Sequence, residues 1–438
     1  MMRSLFLALL ACASIAHAGS PNVVLMLIDD AGIEAFSCYG SESCATPNID
    51  RLASEGVRFT QMHAQPLCTP SRVKMLTGKS NLRNYWRFSV LLPGERTIAH
   101  EFREAGYRTA AVGKWQLLAN ASYAWANAGS TPEQAGFDEH CLWQVTEQGS
   151  RYHDPNLVVN GERLQGTWGR YGPDIFVTHA IDVMSRAKAS GTPFFLYYPL
   201  ALTHDPFVPT PDSDDPSSTD LPSNFRDMVT YLDDVVGRMS AALDDLGLAD
   251  DTIVLLTSDN GTSRAIRLVR NGKEVRGGKS TPTDQGTHVP MIVRWPGHAI
   301  AGSTCDDLVD LSDIMPTLLE AAGIALPPPG TLDGRSFLPQ VRGERGTPRD
   351  WIHIYCNARP ERDGVPVHWF VRSHTHKLYR DGRLFDLEHD PDETTPVLPE
   401  QDTPDLAEAR ATLRLAFDEF PEHPVRIEPE HWKEPARR

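Results

Sequence analysis

Residues 22–28, Asn-Val-Val-Leu-Met-Leu-Ile, make a nearly continuous apolar run that ends on two adjacent aspartates, Asp29 and Asp30. A strand-length run with no polar face must be buried on both sides, as in parallel sheets covered by helices. A similar run recurs at 193–198 (PFFLYY), and 57–62, 108–112, 253–257 and 289–293 also read as strands. Helical spacing fills the gaps. Thr46-Pro47 opens a helix that Gly56 ends, and residues 97–105 are stopped by Gly106. Residues 174–189 and 311–322 follow the same period. So do Phe225, Met228, Val229, Leu232, Val235, Val236, Met239, Leu243 and Leu246. The alternation predicts an α/β fold, a large mostly parallel sheet flanked by helices. Beyond residue 345 the texture changes. Residues 351–355, 367–372 and 377–385 read as short antiparallel strands, with a turn at Asp381-Gly382, and 406–417 as a terminal helix. These predict a smaller C-terminal α+β domain containing a short antiparallel sheet.

Residues 1–18 read as an export signal peptide, with Arg3, a short apolar core at 5–11 and the small-x-small site Ala16-His17-Ala18. The core is too short to span a bilayer, and no later run is long enough, so no membrane span is expected. Leu9-Leu10-Ala11-Cys12 loosely resembles a lipobox, but Leu10 fits it poorly. Cleavage after Ala18 is therefore preferred to lipid anchoring at Cys12, and the protein is expected to be periplasmic or secreted. In such an oxidising compartment Cys38 and Cys44 are close enough for a small loop disulfide. No Cys/His group has zinc spacing. The net charge of -16 argues against a nucleic acid partner, since gripping phosphates needs a basic surface. It permits an anionic small substrate if the site is locally basic.

Ligands of open parallel sheets bind beyond the carboxyl ends of the strands. The segments directly behind the strands are Asp29-Asp30, Leu67-Cys68-Thr69-Pro70-Ser71-Arg72, Gly113-Lys114-Trp115-Gln116, Thr203-His204-Asp205 and Ser258-Asp259-Asn260-Gly261, all delivered to one edge. Asp29, Asp30, Asp259 and Asn260 offer oxygen only, which suits a hard cation such as Ca2+ or Mg2+. Any one of these Asp residues alone reads best as a turn or cap. Two adjacent buried carboxylates, however, repel unless a cation or shared proton lies between them. Cys68 precedes a helix opened by Pro70, so its side chain should lie near amides that favour an anion, with Arg72 one turn on. A lone thiol is otherwise most often a buried structural residue.

These residues resemble the formylglycine-dependent sulfatases, arylsulfatase-like members of the alkaline phosphatase superfamily. Cys68-Thr69-Pro70-Ser71-Arg72 followed by Leu76-Thr77-Gly78-Lys79 looks like their signature. Gly113-Lys114-Trp115, Ser258-Asp259-Asn260-Gly261, Gly278-Lys279 and Val289-Pro290 extend the likeness, and the tail 377–387 looks like the family's small C-terminal domain. The resemblance implies a catalytic sulfatase domain over 19–345 and a C-terminal subdomain over 346–438. It implies that a maturation enzyme oxidises Cys68 to formylglycine, whose hydrate attacks sulfur, expels the alcohol or phenol, and then releases sulfate by elimination. One Ca2+, with Mg2+ as the alternative, would be held by Asp29, Asp30, Cys68, Asp259 and Asn260. Arg72 would orient the diol, Lys114 and Lys279 would bind sulfate oxygens, and His204 would protonate the leaving oxygen. The substrate would be a sulfated small molecule or glycan.

Two departures from the pattern stand out. The usual Lys-x-His reads Lys114-Trp115-Gln116, and Gln116 cannot take a proton, although it can hydrogen-bond substrate. The usual Glu-Gly-Gly-x-Arg-Val-Pro reads Asp284-Gln285-Gly286-Thr287-His288-Val289-Pro290, which makes His288 a candidate for the missing base and for substrate contact. Competing readings are a phosphodiesterase or phosphonate monoester hydrolase on the same fold, and a non-catalytic binder of sulfated glycans. Loops 119–134 and 152–171 would choose the substrate. Trp125, Trp143, Trp168 and Trp369 could stack on sugars or pack in the core.

Overall fold

A computed structural model describes residues 19–425 except 361 and 363. The expected signal peptide, with Cys12, lies outside the described residues. The strands are β1 (Asn22–Ile28), β2 (Val57–His63), β3 (Arg108–Lys114), β4 (Glu139–Trp143), β5 (Leu157–Val159), β6 (Glu162–Arg163), β7 (Phe194–Pro199) and β8 (Thr252–Ser258). They continue with β9 (Arg267–Arg270), β10 (Lys273–Arg276), β11 (Met291–Arg294), β12 (Ser303–Asp310), β13 (Ile352–Cys356), β14 (His368–Arg372), β15 (His376–Tyr379) and β16 (Leu384–Asp386). Ten form one sheet in the order β12-β2-β11-β8-β1-β7-β3-β4-β5-β6. Its centre, from β8 to β4, is wholly parallel.

The run at 22–28 behaves as its composition demands. Val24, Met26 and Ile28 pack into one core, and Val23, Leu25 and Leu27 into the other. The first core is closed by helices Gly172–Ser190 and Leu221–Asp245, through residues such as Phe176 and Met228. The second is closed by Cys68–Thr77, Ile98–Glu104 and Ile314–Ala321, through Val73, Phe102 and Leu318. Each fully buried side chain of this kind contributes about 1.5–3 kcal/mol, so β1 is anchored from both faces.

The expected large sheet is mixed, with its parallel centre flanked by antiparallel pairs. β11 is antiparallel to both β2 and β8, with Met291 opposite Thr257 at the carboxyl end of β8. The chain from 259 to 290 never crosses back to the other end of the sheet, so β11 has to run in reverse. The hairpin β9–β10 was not among the expected elements. It turns at Asn271-Gly272, both with positive φ, as that dipeptide favours. Cys38 and Cys44, close enough in sequence for a loop disulfide, are free thiols. Cys38 sits in the turn Ser37–Tyr39, where its N–H donates to Asp50 Oδ1 at 2.8 Å, while Cys44 is buried in the first core.

β13 to β16 form a separate antiparallel sheet in chain order, and helix Pro404–Asp418 packs on it through Leu413, Ala416 and Phe417. Buried polar contacts tie the two sheets together. Lys74 Nζ donates to Asp310 Oδ2 (2.5 Å) and to His353 O (3.1 Å), and Arg372 Nη1 donates to Asp284 Oδ1 (2.7 Å). Among the described residues no helix is long and apolar enough to cross a membrane.

Candidate active site

The carboxyl ends of β1 and β8 lie side by side, Ile28 opposite Ser258, so Asp29-Asp30 and Asp259-Asn260 emerge together. All four are fully buried. Asp30 adopts φ 66°, and its N–H donates to Asp259 Oδ1 at 3.2 Å. Asn260 Nδ2 donates to Asp30 Oδ1 at 2.8 Å, which leaves Asn260 Oδ1 buried without a partner.

Three cations face these acids. Lys114, the last residue of β3, donates to both oxygens of Asp29, at 3.0 and 2.7 Å. The backbone before it passes so close to β7 that a Cβ on Gly113 would meet Pro199 O at 1.9 Å, and Gly113 has φ 126°; only glycine fits there. Arg72 Nε and Nη2 donate to Asp259 Oδ2 at 3.1 and 2.8 Å, and Nη1 donates to Lys114 O at 3.1 Å. Lys279 pairs with Asp30 Oδ2 and lies 3.1 Å from His204 Nε2.

Cys68 is the first residue of helix Cys68–Thr77 rather than the residue before it, and all ten residues of that helix are buried. The helix closes at Gly78 in the left-handed region. Ser71 Oγ accepts from Gln65 N–H at 3.1 Å and donates to Asp259 O, which locks the Cys68 turn to the Asp259 loop. Burial raises the Cys68 thiol above its ordinary range.

Burial works to raise Asp29, yet Lys114, His204, Arg72 and Lys279 together hold it well below the usual carboxylate range. Asp259, buried and facing Asp29, is pushed up to about 7. Burial pushes His204 down to about 4, against the pull of Asp30 and Asp29. His204 Nδ1 lies 2.7 Å from Asp205 O. That contact assigns the proton to Nδ1 and leaves Nε2 as acceptor for Lys279.

The orphaned Asn260 Oδ1 and the raised Asp259 both fit a divalent cation: the oxygen gains a ligand, and the carboxylates lose their mutual repulsion. Asp29, Asp30, Asp259 and Asn260 offer only oxygen, the donor set of Ca2+ or Mg2+. His204 comes within metal-ligand reach of Asp29 and Asp30, but its Nε2 already faces Lys279. Cation binding at about 100 times Kd should stabilise the fold by about 2.7 kcal/mol. Calcium should therefore raise Tm by several degrees, EDTA should reverse this, and Asp259→Ala should abolish it. Equal rises in Asp259→Ala and wild type would rule this site out.

Cys68, Lys114, Gln116, His204 and Lys279 line one cavity of about 270 Å³. Leu67, Phe88, Tyr123, Trp143, Gln144, Gln148, Arg151 and Arg359 complete its wall. Sequence reasoning singled out none of Gln144, Gln148, Arg151 and Arg359, which belong to no motif, and took Trp143 as a candidate for either sugar stacking or core packing. Trp143 carries the Arg151 guanidinium 3.9 Å above its ring. Of the other tryptophans, Trp125 donates to Phe88 O, Trp369 donates to His353 Nε2, and Trp168 stands 87% exposed.

His288 does not join the cavity. Its Nε2 lies 2.6 Å from Thr60 O, and its ring stacks on His63 at 4.9 Å, in the buried seam with Asp284 and Arg372. It leads straight into β11, which carries it away from Lys279. Burial lowers His288 from 6.5 to about 4. Between these values the unfolded chain binds the proton and the folded chain does not, so stability falls as pH drops through that window. The slope for one such group is about 1.4 kcal/mol per pH unit. His288→Asn should flatten the decline of Tm between pH 6.5 and 4, a change read by thermal melts; an unchanged slope would exclude His288 as its source.

Residues 21–324 match the family model described as Sulfatase, and 279–418 match that described as N-sulphoglucosamine sulphohydrolase, C-terminal. Human (Homo sapiens) arylsulfatase A is 31% identical, covering 94% of this chain and 90% of its own. The N-acetylgalactosamine-6-sulfatase of Canis lupus familiaris is 31% identical over 78% of this chain and 70% of its own. The solved structure of BT4656 in complex with its substrate D-glucosamine-2-N,6-O-disulfate superposes with a TM-score of 0.73 at 21% identity, covering 91% and 97% of the two chains.

Proposed function

The chain belongs to the sulfatase family and is a sulfuric ester hydrolase, and from that premise we propose a mechanism centred on Cys68. The observation that carries it is the convergence of Cys68, Lys114, His204 and Lys279 on one cavity beside four buried oxygen-ligand residues. Oxidation of Cys68 to formylglycine by a maturation enzyme would supply a hydrated aldehyde as nucleophile, and Asp29, Asp30, Asp259, Asn260 and the modified Cys68 would hold a Ca2+ or Mg2+ ion, which would supply Lewis acidity.

The chain's own residues do the rest. Arg72 fixes Asp259 and, through the Lys114 carbonyl, the end of β3. Lys114 and Lys279 turn toward the sulfate oxygens and stabilise the charge that builds on them. His204 delivers a proton to the departing oxygen from the face opposite the nucleophile. Gln116 hydrogen-bonds the substrate without exchanging protons.

Three buried carboxylates face three cations, Arg151 and Arg359 in the same wall add positive charge, and a divalent ion would add two more. That is the local field an anionic ester needs in a chain of net charge -16. The natural substrates are sulfated carbohydrates, with aryl sulfates as artificial ones. The protein acts after export, cleaved behind Ala18, with residues 19–345 catalytic and 346–438 a supporting subdomain. Its one obligate partner is the enzyme that oxidises Cys68.

Paired 4-nitrophenyl esters test the reading. Nitrophenol release from the sulfate should exceed that from the phosphate and from the phenylphosphonate by at least about 10²-fold, the scale on which an enzyme separates cognate from related substrates. Faster release from either phosphorus ester would move the protein to the competing class. Release from none, with sulfated sugars bound unchanged, would make it a binder.

A further inference from the structure

Arg151 is buried, 7% exposed, in the wall of the cavity that Cys68 and His204 line. Its guanidinium makes no ion pair among the described residues, and Nη1 is buried without a hydrogen-bond partner. The acids nearest in sequence look elsewhere: Asp154 Oδ1 accepts from Gly169 N–H at 2.6 Å, and Glu147 accepts from Asn156 Nδ2 at 3.1 Å. Buried arginines are ordinarily paired, because an uncompensated charge in a dry wall is costly. Stacking on Trp143 at 3.9 Å offsets part of that cost without supplying an acceptor.

The surroundings hold Arg151 in place. Trp143 ends β4 directly opposite Lys114 in β3, and its Nε1 donates to Gly149 O at 3.2 Å, pinning the loop that leads to Arg151. On the other side, Tyr152 OH donates to Ala201 O at 2.8 Å and to His204 O at 2.5 Å. Arg151 is therefore fastened to the loop that carries His204. Beside it, Gln116 and Gln144 both adopt left-handed backbone, with φ 57° and 59°. They are joined by Gln116 N–H donating to Gln144 O at 3.3 Å, and the Oε1 of each is buried without a partner. Two non-glycine residues in that conformation, each with an unsatisfied amide oxygen in one wall, mark a surface shaped for a polar ligand.

Resting on the sulfatase reading, we propose that Arg151, with Gln116 and Gln144, forms a subsite for a second anionic group on the leaving-group side of the substrate. The preferred substrate then carries, besides the ester to be cleaved, a carboxylate or a second sulfate, as uronic acids and multiply sulfated sugars do. A guanidinium fork reads either group bidentately, while the two unpartnered amide oxygens accept hydrogen bonds from ring hydroxyls beside the anion. The cavity volume of about 270 Å³ sits at the small end of small-molecule pockets, roughly 300–1,000 Å³, so the anion must lie on the same small unit as the ester.

The test uses matured enzyme with 4-nitrophenyl sulfate and its ring-substituted isomers bearing a carboxylate or a second sulfate. Wild type should prefer at least one anionic isomer over the neutral ester, mainly through KM, and the carboxylate and sulfate arms show which anion it takes. In Arg151→Gln, whatever the neutral ester loses, the preferred anionic ester should lose about 10–100-fold more, the worth of a charge-assisted contact. Arg151→Lys, which keeps the charge without the fork, should recover part of the preference. Thermal melts check that both variants fold. No preference for any anionic isomer in wild type, or equal losses on neutral and anionic esters in a folded Arg151→Gln, would overturn the subsite. Failure of the sulfatase reading looks different, since wild type would then cleave no sulfate ester at all.

Discussion

Cys68→Ala is expected to lower sulfate ester turnover by at least about 10⁴-fold, because deleting a covalent nucleophile removes the reaction path rather than trimming it. The change deletes one sulfur at the first position of a buried helix whose backbone is held elsewhere, by Ser71 on Gln65 and Asp259 and by Gly78 at the far end. Its cost to stability should be only about 1 kcal/mol, so Tm separates chemistry from folding. In active wild-type protein, mass spectrometry of the peptide carrying Cys68 should show sulfur lost and oxygen gained. The buried thiol is itself a poor nucleophile, since burial raises its pKa, and the proposed conversion to an aldehyde hydrate would replace it with a better one. Full activity in protein whose Cys68 is wholly thiol would end this mechanism.

The parts of the site that the sequence disclosed are those that sit directly behind a recognisable strand. An apolar run such as 22–28 can only be buried on both faces, so the polar residues after it must reach the sheet edge. This logic reached Asp29, Asp30, Lys114, His204, Asp259 and Asn260. The C-x-P-S-R segment added Cys68 and Arg72 by resemblance. What was not legible depends on where the chain goes next. β11 runs antiparallel because residues 259–290 stay at one end of the sheet, and no local pattern encodes a missing crossover. His288 stands only nine residues after Lys279 along the chain, yet it turns into the seam with His63 and Thr60. Sequence proximity to a motif was no guide to its side chain. Arg151 is the reverse case: nothing in Glu-Gln-Gly-Ser-Arg distinguishes it from a solvated loop. Its burial comes from Trp143 beneath it and Tyr152 beside it, contacts that only the fold creates.

Arg72 shows how the arrangement shares its work. It does not reach the cavity wall; it grips Asp259 and the Lys114 carbonyl, so the same side chain aligns a carboxylate and the end of β3. In the proposed mechanism the cations that pair with the buried acids also meet the ester, so substrate entry would exchange one set of partners for another. Such preorganised exchange needs little reorganisation in the transition state.

His204→Ala should separate substrates by their leaving group. Cleaving the S–O bond leaves negative charge on the departing oxygen. A sugar alkoxide leaves very poorly without a proton, whereas a nitrophenolate needs none. General acid catalysis is worth about 10²–10⁴-fold, so His204→Ala should lose that much on a sugar or alkyl sulfate and far less on nitrophenyl sulfate. In the free site His204 is neutral, pushed down to about 4 by burial, with Nδ1 on Asp205 O and Nε2 facing Lys279. The anionic ester must therefore supply the field that draws a proton onto Nε2, offsetting Lys114 and Lys279. It follows that kcat/KM on alkyl sulfates should fall as pH rises, with a steeper decline than on aryl sulfates, and that this difference should vanish in His204→Ala. A residue that merely bound sulfate would cost every ester the same. Equal losses across leaving groups of widely different basicity, with chemistry shown to be rate-limiting, would remove His204 from the role of acid.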